Sequence, residues 1–259
     1  MALGENRDIY ESQATVENYS HDNYIFSPET VIIKKLISDN INGSMLDIGM
    51  GAGRTTKHFS NYFNKYIGLD YSQTMVSMSK KQFANYTNCE FITGDARSMS
   101  MFLVNSFDFI LFSFNGIDCV STTDREIVLK EVFRVAKPGA MFFFSFHNSY
   151  NIPRLFSFQF PKNPLKYVGE YKRVKGVRSV NSSPDSLLKN DFVEIVDGDL
   201  GFKAQYVYAK PLAQRNQLES LGFEHIALYR LKSGELIASN VDWQSISDEW
   251  IHVSCTIKK

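Results

Sequence analysis

The stretch MLDIGMGAGR, residues 45–54, sets one acid, Asp47, ahead of three glycines at alternate positions, Gly49, Gly51 and Gly53. Such a run lets the chain turn tightly and lets a flat or charged ligand lie against backbone with no Cβ in the way. Two familiar phosphate cradles do not fit. A dinucleotide turn requires G-x-G-x-x-G, whereas the sixth place here is Arg54, and no Gly-Lys-Ser/Thr follows as in a P-loop. A carboxylate is also a poor neighbour for a pyrophosphate and a good partner for an ammonium. The turn points away from NAD and ATP.

Other residues with chemistry to offer fall at the ends of apolar runs. Asp70 closes YIGLD, Asp95 follows CEFITG, Asn115 and Asp118 follow FDFILFSF, and His147 follows MFFFSF. Imidazole changes charge near neutral pH, so at the carboxyl end of a central strand His147 suits a general base, although a lone histidine can equally be structural. Asp70 has a second reading as the N-cap of the segment after it.

These residues need a scaffold, and the sequence supplies one. After Pro28, SPETVIIKKLISDN reads as a helix capped by Ser27 and ended at Asn40. An alternation then begins. SMLDIG, KYIGLD, CEFITGD, SFDFILFSF and MFFFSFHN read as strands. RTTKHFSNYF, SQTMVSMSKKQFAN and TTDREIVLKEVFRVA read as the helices among them. Apolar runs without polar alternation mark strands buried on both faces, as in a parallel sheet covered by helices, and the spacing implies right-handed βαβ units in a doubly wound α/β fold. The pattern breaks at Asn148. KAQYVYAK alternates like an exposed strand, and the α/β style resumes with PLAQRNQLESLGF, EHIALYRL and WIHVSCTIKK. The expectation is one domain: residues 1–27 an N-terminal lid with Tyr19, His21 and Tyr24, residues 28–148 a cofactor-binding core, residues 149–210 an inserted cap, and residues 211–259 the rest of the core.

With these elements in place, the chain resembles the class I S-adenosylmethionine-dependent methyltransferases. The resemblance covers roughly residues 40–148, with a weaker echo in LESLGFEHIALYR. Its first motif, acid-x-Gly-x-Gly-x-Gly, is matched by Asp47, Gly49, Gly51 and Gly53; Asp70, Asp95, the fourth strand and RVAKPGAMFFFS follow in order. The resemblance implies a mostly parallel seven-stranded Rossmann-like sheet and S-adenosyl-L-methionine as cofactor. It implies Asp70 on the ribose hydroxyls and Asp95, beside Ala96, on the adenine amino group. Tyr71 and Met75 would pack the adenine ring, with Ser113 at the fourth-strand tip. Arg54 and Lys57 would neutralise the methionine carboxylate, helped by a helix N-terminus. Tyr24, Asn115, Asp118 and His147 would meet the acceptor.

Composition narrows the class further. Lys plus Arg and Asp plus Glu both total 28, so no global charge favours nucleic acid. The YKRVKGVR run reads as a solvated face, or as cations offered to an anionic acceptor. The fourth-strand end, Ser113-Phe114-Asn115-Gly116, lacks the Asn/Asp-Pro-Pro-Tyr/Phe of methyltransferases acting on bases, so no DNA partner is expected. Aromatics reach 14%, enough to line a pocket as well as a core. Three scattered cysteines, Cys89, Cys119 and Cys255, argue against a disulfide framework or a zinc site, and no metal-binding acid cluster is visible. MALGENRDIY has no apolar h-region and no apolar run approaches a membrane span. The expectation is a cytoplasmic enzyme, monomer or dimer, that methylates a nitrogen or oxygen of a small molecule. A macromolecular acceptor (RNA or protein), a non-catalytic cofactor-binding subunit and a dehydrogenase stay open.

Overall fold

The apolar runs become strands and the patterned segments helices in the computed structural model, which describes residues 24–238 and 243–259. Tyr19, His21 and most of the 1–27 segment lie outside the described residues. In chain order come α1 (Ser27–Ser38), β1 (Ser44–Ile48), α2 (Thr56–Phe59), β2 (Lys65–Asp70), α3 (Gln73–Gln82), β3 (Cys89–Thr93), β4 (Phe107–Phe112), α4 (Thr122–Val135) and β5 (Ala136–Asn148). Then follow α5 (Tyr167–Val180), β6 (Phe192–Ile195), β7 (Tyr206–Ala209), α6 (Pro211–Ser220), β8 (Phe223–Arg230) and β9 (Trp250–Ile257).

Seven strands form the doubly wound sheet, in the order β3-β2-β1-β4-β5-β9-β8. The first five run parallel, while β9 is antiparallel to both β5 and β8. Central strands bury both faces, which is why their sequences do not alternate. One face puts Leu46, Ile48, Phe142 and Phe144 against Val128, Leu129 and Val132 of α4. The other puts Met45, Phe109, Leu111 and Phe143 against Ile32 and Leu36 of α1. Registering Asp47 beside Gly68 on one side and Leu111 on the other sets the glycine turn at the middle of the carboxyl edge.

Two further strands join at that edge. β4 stops at Phe112, opposite Phe144, so β5 runs on past it. β9 covers the far edge of β5 from Met141 to His147. The edge that β4 vacates is taken by β7, which pairs in parallel with His147 and Asn148 and carries β6 as an antiparallel partner. The hairpin has its own small core of Ile152, Phe156, Val177, Val193, Ile195, Tyr206 and Tyr208.

Four local expectations are corrected. Phe26, not Ser27, holds the N-cap position of α1; its N–H donates to Glu29, and the Ser27 hydroxyl donates to the Lys232 carbonyl. RTTKHFSNYF yields only the single turn α2 followed by a 3-10 turn at Ser60–Tyr62. Tyr206–Ala209 is buried throughout instead of exposed, because the cap core closes over it. Ser72, not Asp70, caps α3, accepting from the Met75 N–H at 3.3 Å.

Candidate active site

The glycine turn opens onto a cavity of about 510 Å³. Gly51 has φ +57°, and a Cβ built there meets nothing within 4 Å, so its missing side chain leaves room for a ligand against the backbone. Gly53, at φ +88°, has a different task. A side chain there collides with the Phe83 ring, so Gly53 lets α3 close on the turn, and it does not line the cavity. Gly49 does line it, as do Tyr71, Met75, Ala96 and Ser113.

The acids divide by partner. Asp47 is buried, and its Oδ2 accepts from the Thr55 hydroxyl at 2.5 Å and the Tyr66 hydroxyl at 2.6 Å. Burial pushes its carboxyl up to about 7, against the pull of those two hydroxyls. Asp70 ties the β2 tip to the turn. Its oxygens accept from the Gly51 N–H and the Ser72 N–H, both at 2.9 Å, and burial again raises its pKa. Asp95 lines the cavity with its carboxylate gripped by Arg97, which also reaches Asp124 at 3.0 Å.

Arg54 lines the same cavity but is not a free cation for a ligand carboxylate. Its guanidinium forks onto buried Glu29 at 2.7 and 2.9 Å and donates to Ser113 Oγ and the Tyr24 carbonyl. Burial works to raise Glu29, yet the Arg54 pair outweighs it and holds that carboxyl below its ordinary range. Tyr24, Phe26 and Phe114 surround the guanidinium, 5.1–5.7 Å from ring centre to Cζ. Tyr24 lines neither cavity, and exposed Lys57 lies away from both.

A second cavity, about 820 Å³, adjoins the first across Phe114, Cys119 and Tyr206. His147 and Asn115 line it. Asp118 is corrected here: it is wholly buried, lines neither cavity and touches no acceptor space. One of its oxygens pairs with Arg125, itself wholly buried and held by Gln214. The other accepts from the His147 backbone N–H at 2.6 Å and sits 2.9 Å from His147 Nδ1. A carboxylate at Nδ1 keeps that nitrogen protonated and leaves Nε2 its lone pair. Nε2 lies 3.3 Å from Asn115 Nδ2. Tyr208 stacks on the imidazole, centroids 4.6 Å apart at 24°, and Trp250 meets its edge at 5.9 Å. Arg173 and Arg178, for which the sequence offered either a solvated face or cations for an anionic acceptor, bind carbonyls of Leu155 and Phe156 and tie the cap together.

Sequence reading missed Glu29, Arg97, Arg125, Tyr206, Tyr208 and Trp250. Only Arg125 left a signal: it stands three, four and seven residues before Val128, Leu129 and Val132, on the apolar stripe of its helix.

Residues 45–139 match the family model described as a methyltransferase domain. A demethylmenaquinone methyltransferase of Lactococcus lactis subsp. lactis (strain IL1403) is 36% identical over 110 residues, 40% of this chain and 42% of that one. A malonyl-[acyl-carrier protein] O-methyltransferase of Marinomonas sp. (strain MWYL1) is 25% identical over 181 residues, 68% of this chain and 66% of that one. The chain thus spans from under half to about two thirds of the curated relatives it matches. A solved S-adenosylmethionine-dependent methyltransferase from Clostridium acetobutylicum ATCC 824 superposes with a TM-score of 0.63 at 14% identity, covering 97% of both chains. Residues 45–139 thus match a methyltransferase domain, and the chain shares the mostly parallel Rossmann-like fold of solved S-adenosylmethionine-dependent methyltransferases.

Proposed function

We propose that the protein binds S-adenosyl-L-methionine in the first cavity and transfers its methyl group to a nitrogen or oxygen of a small molecule held in the second. The observation that carries this is the open space at Gly51, flanked by the Asp70 and Asp95 carboxylates on neighbouring strand tips. The residues present fit the group: Asp70 on the ribose hydroxyls, Asp95 and Ala96 toward the adenine, Tyr71 and Met75 against its ring, and Gly49 and Ser113 along the remaining wall. When bound, the cofactor supplies a sulfonium methyl for in-line displacement.

The chain's own work is alignment, water exclusion and one proton. Phe114, Cys119 and Tyr206, common to both cavities, stand where donor and acceptor meet. His147 Nε2, left as the basic nitrogen by Asp118 at Nδ1, takes the proton from an N–H or O–H acceptor that displaces its long contact with Asn115 Nδ2. That feature favours nitrogen or oxygen over carbon. Residues 149–210 act as the acceptor-side cap of a single domain, and the three scattered cysteines, without a CxxC pair, suit a reducing, cytoplasmic setting. No helix among the described residues is long and apolar enough to cross a membrane.

Calorimetric titration with S-adenosylmethionine and its demethylated product tests the reading. The wild-type protein binds both. Asp70→Ala keeps its circular dichroism spectrum but loses about 10- to 150-fold in affinity, the range for hydrogen bonds to a charged group. A wild-type protein indifferent to both compounds at millimolar concentration, or an Asp70→Ala variant binding as tightly as wild type, overturns it.

A further inference from the structure

We propose that the acceptor is an amine that enters the second cavity as its ammonium form, a reading that rests on the methyltransferase function above. Three features of the cavity agree on this chemistry.

The first is charge. Arg173 is neutralised: it forks onto Glu170 at 2.8 and 2.9 Å and donates to the Leu155 and Ser157 carbonyls. Arg154 and Glu249 pair with each other at the exposed rim. The other two charges on the wall, Asp197 and Asp199, have no ion-pair partner among the described residues. Each accepts a tyrosine hydroxyl, from Tyr208 at 3.0 Å and Tyr206 at 3.2 Å. Burial, with the Asp197 charge beside it, holds the Tyr208 phenol well above its usual range, so its proton stays and the negative charge remains on the carboxylate.

The second is the aromatic wall. Phe114, Tyr206, Tyr208 and Trp250 all face the cavity, and Phe114 and Trp250 meet at 5.0 Å. Ring faces next to carboxylates that form no ion pair attract cations.

The third is an imbalance of acceptors over donors. Asn115 is 2% exposed, lines the cavity, and its Oδ1 is buried with no hydrogen-bond partner among the described residues. Its neighbour His147 Nε2 is an acceptor too, holding the Asn115 Nδ2–H at a long 3.3 Å that a ligand N–H replaces. An orphaned buried acceptor is costly, so a ligand that donates to it is favoured. An ammonium has three N–H groups, one to lose to Nε2 and another to give to Asn115 Oδ1. A hydroxyl has a single proton and leaves Oδ1 unsatisfied. A carboxylate has none and meets Asp197 and Asp199. The step then balances. Nε2 takes one ammonium proton and frees the nitrogen lone pair. The C–N bond forms as the methyl carbon–sulfur bond breaks, with its electron pair going to sulfur. Products are the methylated ammonium and the thioether, and the imidazolium gives its proton to water.

Benzyltrimethylammonium, a cation that cannot be methylated, probes the site independently of turnover. Titrated into the full chain, it binds at least tenfold more tightly than 2-phenylethanol or phenylacetate. The Asp197→Asn/Asp199→Asn double variant loses that preference while binding S-adenosylhomocysteine like wild type. In turnover assays phenethylamine is methylated in preference to 2-phenylethanol. Equal or better binding of the neutral or anionic probe, or a preference undisturbed by the double variant, overturns the proposal. Because S-adenosylhomocysteine is titrated separately, its failure to bind counts against the function and a missing cation preference against the acceptor class.

Discussion

The first cavity is opened by backbone at one glycine turn, whereas the second is walled by side chains from segments far apart in sequence. At the glycine turn, Gly51 opens the space and Gly53 admits Phe83, all within one short stretch and the strand tips beside it. At the tip of β5, Asp118, Arg125, His147, Tyr208, Gln214 and Trp250 come from six separate elements or turns. A backbone opening survives change in the side chains around it so long as the glycines remain, while the strand-tip acids set how tightly it binds. A side-chain site depends on each member holding the next.

That contrast is tested most severely at Asp118. Asp118→Ala strands the buried Arg125 guanidinium without its countercharge, and breaking a buried pair from one side costs about 3–5 kcal/mol of stability. Urea unfolding reads the loss. His147→Gln leaves Arg125 and Asp118 together, so stability stays near wild type while kcat falls by about 10²–10⁴ and affinity for S-adenosylhomocysteine is unchanged. A His147→Gln enzyme as active as wild type would remove the base from the mechanism. An Asp118→Ala protein as stable as wild type would mean that the pair does not organise this end of the molecule.

The same difference decides what was legible in the sequence. Apolar runs such as FDFILF and MFFFSF announced buried parallel strands, and the alternate glycines announced the turn, because both signals are local. Asp47, singled out by the glycine run, and Asp70 and Asp95, singled out by their strand-end positions, all line the first cavity. The β6–β7 hairpin was harder. Its strand reads as exposed because the alternation in KAQYVYAK carries no sign of the cap core that buries it. Asp118 was noticed as a polar residue beyond β4, but that it faces inward toward Arg125 follows from an ion pair no spacing rule encodes. Arg54 likewise looked available until Glu29, 25 residues earlier, was seen to claim it.

Asp47 offers a gentler way to sharpen the contrast. Its carboxyl ordinarily titrates near 3.8 but is raised to about 7 by burial. Between those values the unfolded chain has released the proton that the folded chain still holds, so the unfolded state binds fewer protons and stability falls as pH rises. Above about 7 the penalty is complete. Asp47→Asn has no proton to release and keeps acceptor capacity for Thr55 and Tyr66. It matches wild type near pH 4 and exceeds it progressively toward pH 8, by at most about 4 kcal/mol. Unfolding curves taken across that range check the crossing. The opposite trend, wild type gaining on the variant as pH rises, would mean an ionised Asp47 stabilised by its surroundings.

Ser72 gives the smallest effect and separates two tasks at one strand tip. Its hydroxyl accepts from Met75 N–H as the α3 cap, while Asp70 next to it accepts from Gly51 and Ser72 amides and faces the cavity. Removing a cap of this kind costs about 1 kcal/mol. Ser72→Ala therefore lowers the thermal midpoint by a few degrees, and because the Ser72 N–H remains to hold Asp70, affinity for S-adenosylhomocysteine does not move. Asp70→Ala shows the reverse order of effects, a large loss of binding with a smaller loss of stability. If instead Ser72→Ala weakens cofactor binding as much as Asp70→Ala does, the cap and the ligand contact are one structure, and the strand tip does not keep the two tasks apart.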